Sequence, residues 1–202
     1  MNQVRLYSTN INGRYLAEAT EVLEKGGIIL YPTDSVYALG CDALNNAAVE
    51  RLCKLKGVDP RKQSLSIVCR DLSMASRYAR IDNEAYRILH RNLPGPFTFI
   101  LPAATTLPKV FKGRKTVGIR IPACSIAVEL ASSLGHPLLS ASAVTEEEFE
   151  MTFPEIADSH AAFCDFAIEE ADAIIEPAFT TVVDLTDSAN PVIVRQGRGE
   201  LQ

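Results

Sequence analysis

Four residues, Pro32-Thr33-Asp34-Ser35, interrupt two apolar runs, Ile28–Tyr31 and Val36–Cys41. Proline brings no N–H to a sheet ladder, so a strand that reaches Pro32 has to stop there. Two small hydroxyls and a carboxylate then sit at the carboxyl end of a strand, where open α/β sheets commonly place ligands. The same residue types make ordinary turns. Taken alone, the stretch reads as a strand-to-turn corner, and the rest of the chain decides whether it is more.

Flanking segments alternate between helical and strand periodicity. Asn12-Gly13 open a helical pattern through Tyr15, Leu16, Ala19, Val22 and Leu23 that Gly26-Gly27 close. Asn45 or Asn46 caps a second pattern, with Ala48, Val49, Leu52, Cys53 and Leu55 on one face up to Gly57. Leu65–Cys69, Phe97–Leu101, Thr116–Ile121 and Pro137–Ser142 read as strands, with helical stretches at Leu72–Tyr78, Glu84–Arg91 and Ile126–Leu134 between them. Thr152 and Glu155 have the spacing of a capping box. Short strands then crowd the end, at Ala173–Ile175, Thr181–Leu185 and Val192–Arg195. Early alternation with late strands predicts one α/β domain over residues 1–202, with a twisted mixed sheet flanked by helices.

Charge is distributed unevenly. Residues 1–144 hold 18 Lys and Arg against 11 Asp and Glu, whereas residues 145–176 hold 11 acids and no Lys or Arg. A basic body of that kind suits phosphate handling if its cations converge, with the acidic segment expected at the mouth of the site. The bland alternative is an acidic, solvated helical excursion. No apolar run is long enough to cross a membrane and the amino terminus lacks a secretory pattern, so a cytoplasmic protein is expected. The five cysteines are scattered without a Cys-x-x-Cys pair, and the three histidines lack ligand spacing. Reduced, buried thiols and no metal site follow from that.

Phosphate-loop and nucleophile-elbow motifs are missing from the sequence. Hydroxyls and lone basic residues recur instead at successive strand ends: Thr33 and Ser35, Ser64 and Ser66, Arg120, Ser140 and Ser142, Thr180 and Thr181, and Arg195. Hydroxyls can bind a polar substrate, and arginine grips a carboxylate or phosphate with two prongs. Arg120 ends an apolar strand and therefore needs a partner, because an unpaired buried charge is costly. Lys54, Lys56, Arg61 and Lys62 bracket the Gly57-Val58-Asp59-Pro60 turn. They suit either a solvated helix end or a site where phosphate charge develops.

Together these pieces resemble the YrdC-like family. Tyr31–Cys41 is similar to its P-T-[ED]-[TS]-x-Y-[GA]-L-G signature, Pro94–Thr98 to its P-G-P-x-T turn, and Val117–Pro122 to its strand ending in R-x-P. Leu138–Ala143 matches most of the S-T-S-A-N strand, and Thr180–Asp184 with Arg195 and Gly197 matches the late pieces. The resemblance implies a large, basic, concave cavity. It also implies synthesis of threonylcarbamoyl-adenylate from threonine, bicarbonate and ATP with Mg²⁺, for tRNA modification. Related domains bind double-stranded RNA, so RNA is the other partner implied. By matched position Thr33, Ser35, Arg120 and Thr180 would bind threonine, and Ser142 and Arg195 the nucleotide. Lys56, on the lysine of a K-x-R motif, would neutralise phosphate as the catalytic cation.

The chain departs from the family pattern at four points. The arginine of K-x-R falls on Val58, the asparagine of S-A-N on Val144, the preceding threonine on Ala141, and a strand-end histidine on Cys69. Arg61, or else Lys62, is expected to replace the lost arginine. These departures resemble the YciO branch, without the extra carboxyl-terminal domain of longer members. A synthase-like enzyme is the leading expectation, and a catalytically weak RNA-binding module the alternative.

Overall fold

The computed structural model describes residues 1–59, 66–104, 113–172 and 176–202. Its strands are β1 (Asn2–Leu6), β2 (Ile29–Tyr31), β3 (Ala38–Asp42), β4 (Ser66–Val68), β5 (Phe97–Pro102), β6 (Thr116–Arg120), β7 (Leu138–Ser142), β8 (Phe166–Glu170), β9 (Thr181–Asp184) and β10 (Val192–Arg195). Its helices are α1 (Gly13–Glu24), α2 (Asn46–Leu55), α3 (Leu72–Ala75), α4 (Asn83–Asn92), α5 (Ser125–Leu134) and α6 (Phe153–His160). Among the described residues all ten strands join one mixed sheet, in the order β1-β8-β2-β3-β7-β4-β6-β5-β9-β10.

Caps fix the helices that frame the sheet. The Asn12 side chain accepts the Arg14 N–H, and the Asn45 side chain accepts that of Ala48. Gly26 and Gly57 take positive φ, 82° and 63°, and turn the chain out of α1 and α2. Strand alternation sends successive side chains to opposite faces. Leu6, Ile29, Tyr31, Leu138, Phe166 and Ile168 pack with α1 and α5 on one face. Leu30, Leu39, Phe99, Ile119, Leu139 and Val183 face the opposite way, into a larger core with residues of α2, α3, α4 and α6.

Gly40 is required by this packing. A Cβ there would come within 2.6 Å of the Tyr31 ring. The ring lies across the glycine, and its hydroxyl donates to Ser140 Oγ at 2.7 Å. Burial pushes the Tyr31 phenol up to about 12.

Two strands escape the sequence reading. β1 is largely exposed, with a polar Asn2-Gln3 start. β8 lies inside the acidic segment, so the bland alternative of a solvated helical excursion does not hold for that half. It pairs in parallel with both β1 and β2, and Phe166, Ala167 and Ile168 are buried. The helical stretch expected over Leu72–Tyr78 is a helix only to Ala75. The strand expected at 173–175 lies outside the described residues.

Candidate functional site

α5 still packs on Val68 of β4, and beyond it, over β6, β5 and β9, a cavity of about 280 Å³ opens on the same face. Alternation selects its lining. Thr98 and Ile100, Gly118 and Arg120, Ser140 and Ser142, and Thr180 and Val182 are i, i+2 pairs turned to the cavity. Their sequence neighbours Phe99, Ile119, Leu139 and Thr181 are buried on the other side. Gly118 pairs with both Ile100 and Ser66, and Ser66 with Ser140, so a row of small residues leaves the floor open.

Three cations enter this space and no carboxylate lines it among the described residues. Lys56 is the C-cap of α2, and the turn at Gly57 presents both Lys56 and Val58 to the cavity. Arg195, on the edge strand, donates to the Thr180 carbonyl at 2.9 Å and stands 5.1 Å over the Phe179 ring. Partial burial moves its guanidinium below the ordinary value, and nearby Arg120 pushes the same way while Glu146 opposes. Thr98 and Thr180 share a hydroxyl hydrogen bond of 3.0 Å.

Arg120 finds the partner its burial demands in Asp34. Nη2 lies 3.2 Å from Asp34 Oδ1 and 3.1 Å from Ser35 Oγ, with the two charged side chains only 7% and 9% exposed. The second Asp34 oxygen accepts the Ala123 N–H at 2.7 Å, which ties the motif loop to the end of β6. Arg120 Nε is buried and has no hydrogen-bond acceptor. Asp34 is the partner that the residue-level reading left without a role. The signal was present, since a buried strand-end arginine implies a carboxylate.

Thr33 and Ser35 do not line the basic cavity. Both are buried, 3.0 Å apart between hydroxyls, and Thr33 donates to the Val36 carbonyl at 2.6 Å. They border a neighbouring pocket of about 100 Å³ with Tyr37, Val144, Phe149, Met151 and Ile156. Ser35 touches the basic cavity's machinery only through Arg120. The first part of the acidic segment lines this smaller pocket rather than the basic cavity whose mouth it was expected to occupy: Glu148 borders it, and Phe149 packs edge-on against Phe179 at 5.0 Å. Capping boxes at Thr145 and Thr152 hold that stretch. Arg61, Lys62 and Ser64 lie outside the described residues; of the expected residues, Lys56, Ser66, Arg120, Ser140, Ser142, Thr180 and Arg195 converge in the basic cavity.

A model of the Sua5/YciO/YrdC family, described as "Telomere recombination", matches residues 21–197. The chain belongs to the Sua5/YciO/YrdC family. Escherichia coli YciO has the same fold, with a TM-score of 0.86 and 38% identity over 98% of this chain and 96% of its own. P. abyssi Sua5 complexed with L-threonine aligns with a TM-score of 0.83 and 29% identity, over 97% of this chain but only 57% of that longer one. A Halorhodospira halophila protein named threonylcarbamoyl-AMP synthase is 39% identical over 127 residues, covering 62% of this chain and 66% of its own.

Against the Sua5/YciO/YrdC motifs, the departures fall at different depths. Val58 faces the basic cavity and removes a cation from its wall. Val144 is buried beside the smaller pocket and makes it more apolar. Cys69 sits in the core, where burial pushes its thiol up, so it is a packing residue here.

Proposed function

We propose that the basic cavity binds MgATP together with an N-carboxylated amino acid of the threonine type and joins them as an acyl-adenylate. The carbamate carboxylate attacks the α-phosphate and pyrophosphate leaves, the reaction implied by relatives named threonylcarbamoyl-AMP synthase. One observation carries the reading: Lys56, Arg120 and Arg195 converge with five hydroxyls on a wall that has no carboxylate. Arg120, with its unshared Nε, would hold the substrate carboxylate, and Lys56 and Arg195 the phosphates. Catalysis would consist of positioning and charge stabilisation, with no covalent nucleophile. Mg²⁺ enters this scheme as part of the nucleotide substrate.

The test is incubation with ATP, threonine, bicarbonate and Mg²⁺, following pyrophosphate and the adenylate. Threonine-dependent product is expected, and its absence ends the synthase reading. Val58→Arg restores a cation to the wall and is expected to raise the rate. A second reading, a weak RNA-binding module, draws on the same apolar Val58. It predicts duplex RNA or tRNA binding that falls steeply with salt. A cavity of about 280 Å³ favours the small-molecule reading.

A further inference from the structure

A second cavity, about 470 Å³ and roomier than the basic one, lies beyond the ion pair of Asp34 and Arg120. Its lining includes Ser8, Asp34 and Glu170, which stand at or just past the carboxyl ends of the parallel strands β1, β2 and β8. Cys124 and Ser125 bring the first turn of α5 to the same space, and Arg198 reaches it from beyond β10. Ligands collect at such strand ends in α/β sheets. The proposed synthase reaction uses only the Asp34 side of this wall.

The polar groups of the lining are unevenly satisfied. Asp34 is spent on Arg120 and the Ala123 N–H. Glu170 takes the Ser8 hydroxyl on one oxygen and has no partner for the other. Burial raises its carboxyl above the ordinary carboxylate value, and the Asp172 charge adds to that. Terminal carboxyl torsions are soft, so either oxygen can turn to an incoming donor at little cost. The cavity also has a positive side. Arg198 is exposed and gives Nη1 to the Glu176 carbonyl, with no ion pair to Glu170. The positive end of the α5 dipole adds to it at Ser125. Glu170 belongs to a strand beside one sheet edge, and Arg198 follows the strand at the other edge. The two opposite charges thus reach one cavity from different ends of the sheet and stay unjoined.

We infer that this cavity binds a small zwitterion, with its ammonium at Glu170 and its acid group at Arg198 and the start of α5. A linear ω-amino acid series measures the span: glycine, β-alanine, γ-aminobutyrate and ε-aminocaproate, with methylammonium and acetate as singly charged controls. Titration calorimetry on the full chain is expected to show one member binding saturably, at least tenfold tighter than either control. Glu170→Gln and Arg198→Ala should each weaken it tenfold or more. Lys56→Ala, in the other cavity, should leave that affinity unchanged. Arg198 is exposed, so its variant keeps the test decisive even where Glu170→Gln disturbs folding. The inference is overturned if no member binds, if a control matches the best zwitterion, if Arg198→Ala has no effect, or if Lys56→Ala abolishes binding. Loss of synthase activity alone moves none of these readouts.

Discussion

One face of the sheet is built two ways. Over β1, β8 and β2 it carries Leu6, Phe166, Ile168, Ile29 and Tyr31 under α1 and α5. Over β6, β5 and β9 it carries Gly118, Arg120, Thr98 and Val182, with Thr180 just before β9, facing a cavity. The strands alternate in the same way in both halves, so the difference lies in what covers them. A helix layer requires apolar side chains, since each buried one contributes roughly 1.5–3 kcal/mol. An uncovered face can hold hydroxyls and charges instead. Stability is therefore concentrated in one half and ligand chemistry in the other, with Ser140 under the Tyr31 hydroxyl at the border.

Substitutions should separate the halves, beginning with the largest effect. Phe166→Ala, at 2% exposure, is expected to cost about 3–5 kcal/mol of unfolding free energy in urea. Ser142→Ala, on the open half, should stay within about 0.5 kcal/mol while weakening the nucleotide. Equal losses at the two positions would erase the distinction.

Asp34→Ala tests the seam between the two cavities. It strands a buried guanidinium and should cost about 3 kcal/mol, with a rise in KM for the amino acid because Arg120 loses its anchor. Unchanged stability would mean that the pair contributes little to the fold. Gly40→Ala should cost about 1–3 kcal/mol by overpacking and should shift Tyr31 fluorescence. An unperturbed Tyr31 would show that the ring has room to move.

The smallest effect concerns pH. The folded-state pKa of Glu170 is raised, so the stabilisation linked to its neutral form is present below the ordinary carboxylate value and fades as pH rises through the raised one. Glu170→Gln should flatten that decline in urea midpoints. The change is modest because the side chain is only about half-buried and solvent screens it.

Much of this was legible in the chain. Asn12, Asn45 and Gly57 marked helix ends by local chemistry, and strand-end hydroxyls with Arg120 and Arg195 marked a site. β8 was hidden because Glu169-Glu170 and its acidic neighbours look solvated. Its burial arises from pairing with β1 and β2, elements more than a hundred residues away.

The sequence by itself determined which segments could be strands or helices, and which residue types could handle an anion, because caps, periodicity and side-chain chemistry act over a few residues. Only the tertiary structure decided that Asp34 neutralises Arg120, that Thr33 and Ser35 turn to a separate small pocket, and that the acidic segment divides between the lining of that pocket and a buried strand next to the sheet edge. Those outcomes depend on strand order and on where a helix layer stops. Both are set by the long-range burial of apolar faces, which no local pattern encodes.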